Sequence, residues 1–172
     1  DQFDADSLSM GTVRGRLNAI PASMAARLFY FNATTYEKAG LKTPSTWDEL
    51  FAVRPVFPDR LGPDYFPLDL NLQDVVAIAR TWHIQKTGAA LVDEARSRLN
   101  ASLEQMIGAA DLYRRLVDEH VVPSARARAS FGNVAPQEMR PWITGRYAGV
   151  HQWVSAIGKT AVRPAAASSA AT

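Results

Sequence analysis

Cysteine is missing from all 172 residues. That excludes disulfides and thiolate chemistry and removes most zinc-site patterns, but it leaves the compartment open, because exported chains can do without disulfides. No run of about 18 apolar residues occurs, so the sequence offers no membrane-spanning helix. Excess charge is small: 19 Lys and Arg against 17 Asp and Glu give a net +2, too weak a bias to imply a nucleic-acid partner. Gly11 and Gly15 stand alone, so there is no glycine-rich phosphate loop, and neither a nucleophile elbow nor a helical histidine pair for a metal appears. His83, His120 and His151 lie far apart in sequence. A Ser-His-Asp set would have nothing to mark its members, and Asp48-Glu49 is better explained by helix capping than by paired-carboxylate catalysis. Neither an enzyme, nor a cofactor, nor a bound metal is expected.

What is present suits one α/β domain. The 47% hydrophobic and 21% charged content is that of a globular protein, and the length can bury a real core. The chain opens on Asp1 without an initiator methionine or leader, and reads as a mature or excised piece.

Element boundaries are well marked. Thr12 to Leu17 reads as two short extended pieces around a turn at Gly15. Phe29-Tyr30-Phe31 favours a strand. Thr34 with Glu37 fits a capping box, and Gly40 suits a left-handed end to the helix so begun. Thr46 with Glu49 fits a second box ahead of a helix, with Trp47 as a core or staple residue. Pro55, Pro58, Pro63 and Pro67 predict a bent loop over 54–69. A short strand at Phe66 to Leu70 then feeds a helix that Asp74 caps or opens and Thr87-Gly88 ends. Leu91 to Leu99 reads as a solvated loop or hairpin. Ser102 with Gln105 opens the best helix, with Leu103, Met106, Ile107, Ala110, Tyr113 or Arg114, and Val117 on its expected buried face. Arg126, Arg128 and Arg140 read as a solvated surface. Pro136 with Glu138 begins a short helix carrying Met139 and Trp142, and Tyr147 to His151 reads as a strand small enough in the middle for close packing. An Ala/Ser-rich tail, 161–172, closes the chain.

Two clusters suit sugars. A pyranose stacks its apolar face on an aromatic ring and offers hydroxyls to planar amides and carboxylates. Trp153 at a strand end, beside His151 and Gln152, has that combination. Asn71, Gln73 and Asp74 at a loop-to-helix junction are the second set. A core role for Trp153 and capping roles for the trio stay open at this point.

The succession Leu17-Asn18-Ala19-Ile20-Pro21, Leu28-Phe29-Tyr30-Phe31-Asn32, Tyr36-Glu37-Lys38-Ala39-Gly40-Leu41 and Thr43-Pro44-Ser45-Thr46-Trp47-Asp48-Glu49-Leu50 resembles family 1 extracellular solute-binding proteins, the sugar receptors of ABC importers. Trp142, Gly145, Ala148-Gly149 and Trp153 resemble a later element of the same family. Phe31-Asn32-Ala33-Thr34 departs from the family's usual Tyr-Asn-Lys-Asp, and Gly149 stands where the family has methionine. The resemblance implies one lobe of a type II periplasmic-binding-protein-like fold, a layered sheet flanked by helices. Residues 1–21 would be the crossing segment and 22–160 the second lobe, with the first lobe of a longer parent chain missing. It further implies non-catalytic binding of a carbohydrate by hinge closure, a membrane permease as partner, and an extracytoplasmic location, periplasmic or membrane-anchored. It raises Trp153 as a stacking residue, favours Asp74 and Gln73 as polar contacts, and adds Ser23 just past the crossing. An isolated interaction module and a carbohydrate-active enzyme domain are the alternatives.

Overall fold

A computed structural model describes residues 3–20, 22, 25–93, 96–132, 134–156 and 158. Helix α1 (Ala5–Met10) is capped by Asp4, whose carboxylate accepts the Ser7 N–H at 2.7 Å. It leads into a hairpin, β1 (Thr12–Val13) with β2 (Arg16–Leu17), turned through Arg14 and Gly15, both at positive φ. Strand β3 (Arg27–Phe31) follows, then α2 (Ala33–Lys38), α3 (Trp47–Ala52), α4 (Val56–Leu61) and the long α5 (Leu72–Thr87). A second hairpin, β4 (Val92–Asp93) with β5 (Arg98–Leu99), precedes α6 (Leu103–Asp118), α7 (Ala125–Ala129), a 3-10 turn at Pro136–Glu138, α8 (Arg140–Ile143) and β6 (Gly149–Trp153). The tail at 161–172 lies outside the described residues.

The sheet is assembled around β6. Strand β3 pairs with it antiparallel, Arg27 opposite Trp153, Phe29 opposite His151 and Phe31 opposite Gly149. On the other side the segment 66–70 runs parallel to it through bridges Phe66–Tyr147 and Asp69–Val150. Alternation along the strands sends Tyr30 and Val150 to one face, where they meet Met139, Trp142 and Tyr147. Phe29, Phe31 and His151 go to the other face. There Phe31 joins the apolar cluster formed by Leu50, Leu68, Ile78 and Leu116 under α3, α5 and α6. The result is an α/β layered sheet flanked by helices.

Gly149 is the tight point of this assembly. A Cβ there would lie 2.7 Å from the Pro67 carbonyl oxygen and 2.8 Å from the Phe31 ring, so only glycine lets the central strand pass between its neighbours.

Several boundaries follow their local chemistry. Thr46 Oγ1 accepts the Glu49 N–H at 3.1 Å, although the Glu49 carboxylate reaches back to the Ser45 N–H rather than to Thr46. Ser102 and Gln105 form the full reciprocal box at the start of α6, and Gly88 ends α5 in the left-handed region.

Three expectations are corrected. Helix α2 is capped by Asn32, whose Oδ1 accepts the Thr35 N–H at 3.2 Å, and not by Thr34 with Glu37. Asn is the stronger cap, and this start turns Tyr36 inward to donate to the Pro67 carbonyl at 3.1 Å. The stretch 54–69 is not all loop. Pro55 caps α4 and Pro58 lies in its first turn, where a missing N–H costs nothing, and the helix is held by fully buried Phe57. Finally, α6 buries only the later part of its expected face, Tyr113 and Val117. Leu103 is 74% exposed and Met106 and Ile107 also face out, while Leu112, Tyr113, Leu116 and Val117 pack inward. The approach to α5 passes through Gly108, where a Cβ would lie 3.0 Å from the tip of Trp82. The smallest residue therefore sets which face makes the contact.

Candidate functional site

The far end of the sheet carries the chemistry. Arg27 opens β3 and Trp153 closes β6, directly opposite each other. The guanidinium carbon of Arg27 lies 5.2 Å from the centre of the Trp153 ring, a cation–π arrangement. One Arg27 nitrogen, Nη2, donates to Asp74 and to the His151 carbonyl, the latter at 3.3 Å.

Asp74 belongs to the first turn of α5. Its Oδ2 accepts the Asn71 N–H at 3.0 Å, and Asn71 Oδ1 accepts the Asp74 N–H at 2.9 Å, the reciprocal box that starts the helix. The other carboxylate oxygen takes Arg27 and lies 3.3 Å from His151 Nδ1. Cap, ion pair and imidazole thus converge on one buried carboxylate that locks α5 to the sheet. His151 is sandwiched on its other side by Phe29, ring centres 5.0 Å apart.

A second ion pair lies beneath. Arg128 Nε donates to Asp69 Oδ2 at 3.1 Å, and both residues are buried. This overturns the expectation of a solvated Arg128. Burial pushes the Asp69 carboxyl up to about 6, with Arg128 opposing that rise and the nearby Asp74 charge adding to it. Asp69 Oδ1 is buried with no hydrogen-bond partner.

Five of the six residues singled out from the sequence lie in this region. Trp153 is 45% exposed at the sheet end. Gln73 is exposed in the first turn of α5, Asn71 is half-buried as its cap, and Asp74 and His151 are buried together. Ser23 lies outside the described residues. Arg27 was not foreseen, because only the pairing of residues 27 and 153 places it here.

A separate groove of about 650 Å³ runs between α3, α5 and α6, lined by Trp47, Trp82 and Phe51 with Asp48, Lys86 and Asp111 among its rim. Trp47, expected as a core or staple residue, is half-buried against the Leu50 cluster, and its Nε1 donates to Gln85 at 3.2 Å. Arg115 lies over Phe51 at 3.9 Å and pairs with Glu119 at 2.7 Å. Arg114 pairs with Asp111 and Asp118, so five of the seven charged residues that line the groove are paired. Among the described residues no cluster of three or more His, Asp or Glu side chains is placed to hold a metal ion, and no helix is long and apolar enough to cross a membrane.

No family model matches the chain, and no curated protein matches it. Solved structures do. A periplasmic solute-binding protein from Pectobacterium atrosepticum is 37% identical, with a TM-score of 0.84 over 95% of this chain and 41% of its own. The chain folds as a lobe of the solute-binding proteins. A periplasmic oligogalacturonide-binding protein from Yersinia enterocolitica is 45% identical, with a TM-score of 0.86 over 92% of this chain and 39% of its own, and was also solved with saturated digalacturonic acid. A designed cysteine esterase matches at 43% identity and a TM-score of 0.86, over 92% of this chain and 39% of its own. The lobe described here therefore spans about two fifths of the length of these structures.

Proposed function

We propose that this lobe, residues 22–160, binds a carbohydrate, an oligosaccharide, as part of an extracytoplasmic receptor of an ABC importer. The observation that carries the reading is the half-exposed indole of Trp153, linked through Arg27 to Asp74 in the polar first turn of α5, in a chain 45% identical to an oligogalacturonide-binding protein. In this reading Trp153 stacks on a sugar ring and Gln73 offers its amide to hydroxyls. Asn71, Asp74 and His151 fix the floor of the site, and Ser23 is proposed as a further contact. A second lobe closes on the sugar by hinge motion, and the closed form docks on a membrane permease. The receptor works outside the cytoplasm, in the periplasm or anchored to the membrane. Its role is binding without turnover; a cysteine esterase needs a thiol, and this chain has none.

Digalacturonate is the first ligand to try, with maltose in parallel. One lobe supplies only part of the binding groups, so a dissociation constant of roughly millimolar order is expected. The readout is an NMR titration of this chain. Saturable shifts around Trp153 that vanish in Trp153→Ala support the reading. Shifts absent for both sugars, or unchanged in Trp153→Ala, overturn it, and micromolar affinity from this lobe alone contradicts the two-lobe mechanism.

A further inference from the structure

The sheet end holds one charged side chain whose placement goes beyond the sugar reading. The Val154 N–H donates to the Ala26 carbonyl and the Asn32 N–H to the Ala148 carbonyl, so the hydrogen-bonded pairs of the β3–β6 ladder fall on even-numbered residues. Arg27 and Trp153 are then a non-hydrogen-bonded pair, the kind in which facing side chains come closest. Arg27 is pinned at two acceptors, Asp74 and the His151 carbonyl, and Asp74 is itself held by the Asn71 cap. Trp153 has no comparable anchor of its own. It is the last residue of β6, it is followed by a 3-10 turn, and nearly half of its surface is open.

We infer that Arg27 is a positioning residue for Trp153. Its guanidinium backs one side of the indole, nearly half of which is exposed, and fixes the plane of the ring, and the Asp74 pair ties that plane to the start of α5. The consequence for affinity rests on the sugar reading above; the consequence for the ring itself does not. An indole held in its stacking orientation before the ligand arrives does not lose that freedom on binding. Lysine is not equivalent here, because a flexible ammonium lacks the planar fork with which Arg27 bonds Asp74 while its guanidinium carbon stands over the ring.

The test has two readouts. The first needs no sugar. The Trp153 indole N–H resonance is assigned by its loss in Trp153→Phe, then followed in Arg27→Lys, which keeps the charge beside Asp74. We expect that resonance to shift and broaden while those of Trp82 and Trp142 stay in place. The second is a double-mutant cycle with digalacturonate. Arg27→Lys should weaken binding roughly three- to tenfold, and a Trp153→Phe background should reduce that loss to twofold or less. A Trp153 resonance that does not move in Arg27→Lys overturns the inference, as does an equal loss of affinity in both backgrounds, which would mean that Arg27 acts on the sugar directly. If no sugar binds at all, the functional reading fails and the indole resonance still decides the role of Arg27.

Discussion

Arg128 Nε donates to Asp69 Oδ2 across 3.1 Å inside the lobe, with side chains 7% and 2% exposed. Such a pair contributes little net stability, because desolvation offsets the attraction, yet losing one partner strands a buried charge. Arg128→Met should therefore cost about 3–5 kcal/mol in urea unfolding. Combining it with Asp69→Asn should recover much of that loss. A single substitution that costs under about 1 kcal/mol, the range of an exposed pair, would place Arg128 at the surface after all.

The same carboxyl makes stability depend on pH in a stated direction. Asp69 is raised from 3.8 to about 6 in the folded lobe by burial. The folded state therefore holds its proton more tightly than the unfolded chain does. Its contribution favours folding fully below pH 3.8 and is lost as pH rises through about 6. Comparison with Asp69→Asn cancels the other carboxylates. The stability of the native chain relative to that variant should fall by roughly 2 kcal/mol between pH 4 and pH 7. A flat difference would mean that Asp69 is not buried as described.

Gly149 should not accept a methyl group. With the Pro67 oxygen at 2.7 Å and the Phe31 ring at 2.8 Å from the added carbon, Gly149→Ala should destabilise by roughly 1–3 kcal/mol, the cost of overpacking. Thermal unfolding would show it, and an unchanged midpoint would contradict the close passage of β6.

Asn71 caps α5 whatever it does for a ligand. Asn71→Ala should cost about 1 kcal/mol of stability. Asn71→Ser keeps an oxygen for the Asp74 N–H and should recover most of it. If Asn71→Ala weakens sugar binding while Asn71→Ser restores stability without restoring binding, the side chain touches the ligand in addition to capping.

The legible parts of this chain are those written in local chemistry. The strand at Phe29 to Phe31, the caps at Thr46 and Ser102, and the turns at Gly15 and Gly88 depend on residues within four positions of one another. The last strand was legible in place but not in extent: the sequence places it over Tyr147 to His151, and β6 runs on to Trp153. Arg27 and Arg128 were not legible. Arg27 is a lone charge at the head of an apolar run and Arg128 lies in a polar stretch, and the partner of each lies far along the chain: residue 153 for the first, residue 69 for the second. The first two turns of α6 are where its inward face is hard to read, because Leu103, Met106 and Ile107 mark one stripe while Gly108 admits the neighbouring helix along another.

The central claim is that sugar is held at the sheet end, and a crystal structure of this chain grown with digalacturonate tests it most directly. The account predicts a pyranose ring within about 4.5 Å of the Trp153 indole, with the Gln73 amide near its hydroxyls and Arg27 on the opposite side of the indole. Sugar lodged instead between Trp47 and Trp82, in the groove of α3, α5 and α6, with Trp153 bare, would contradict it.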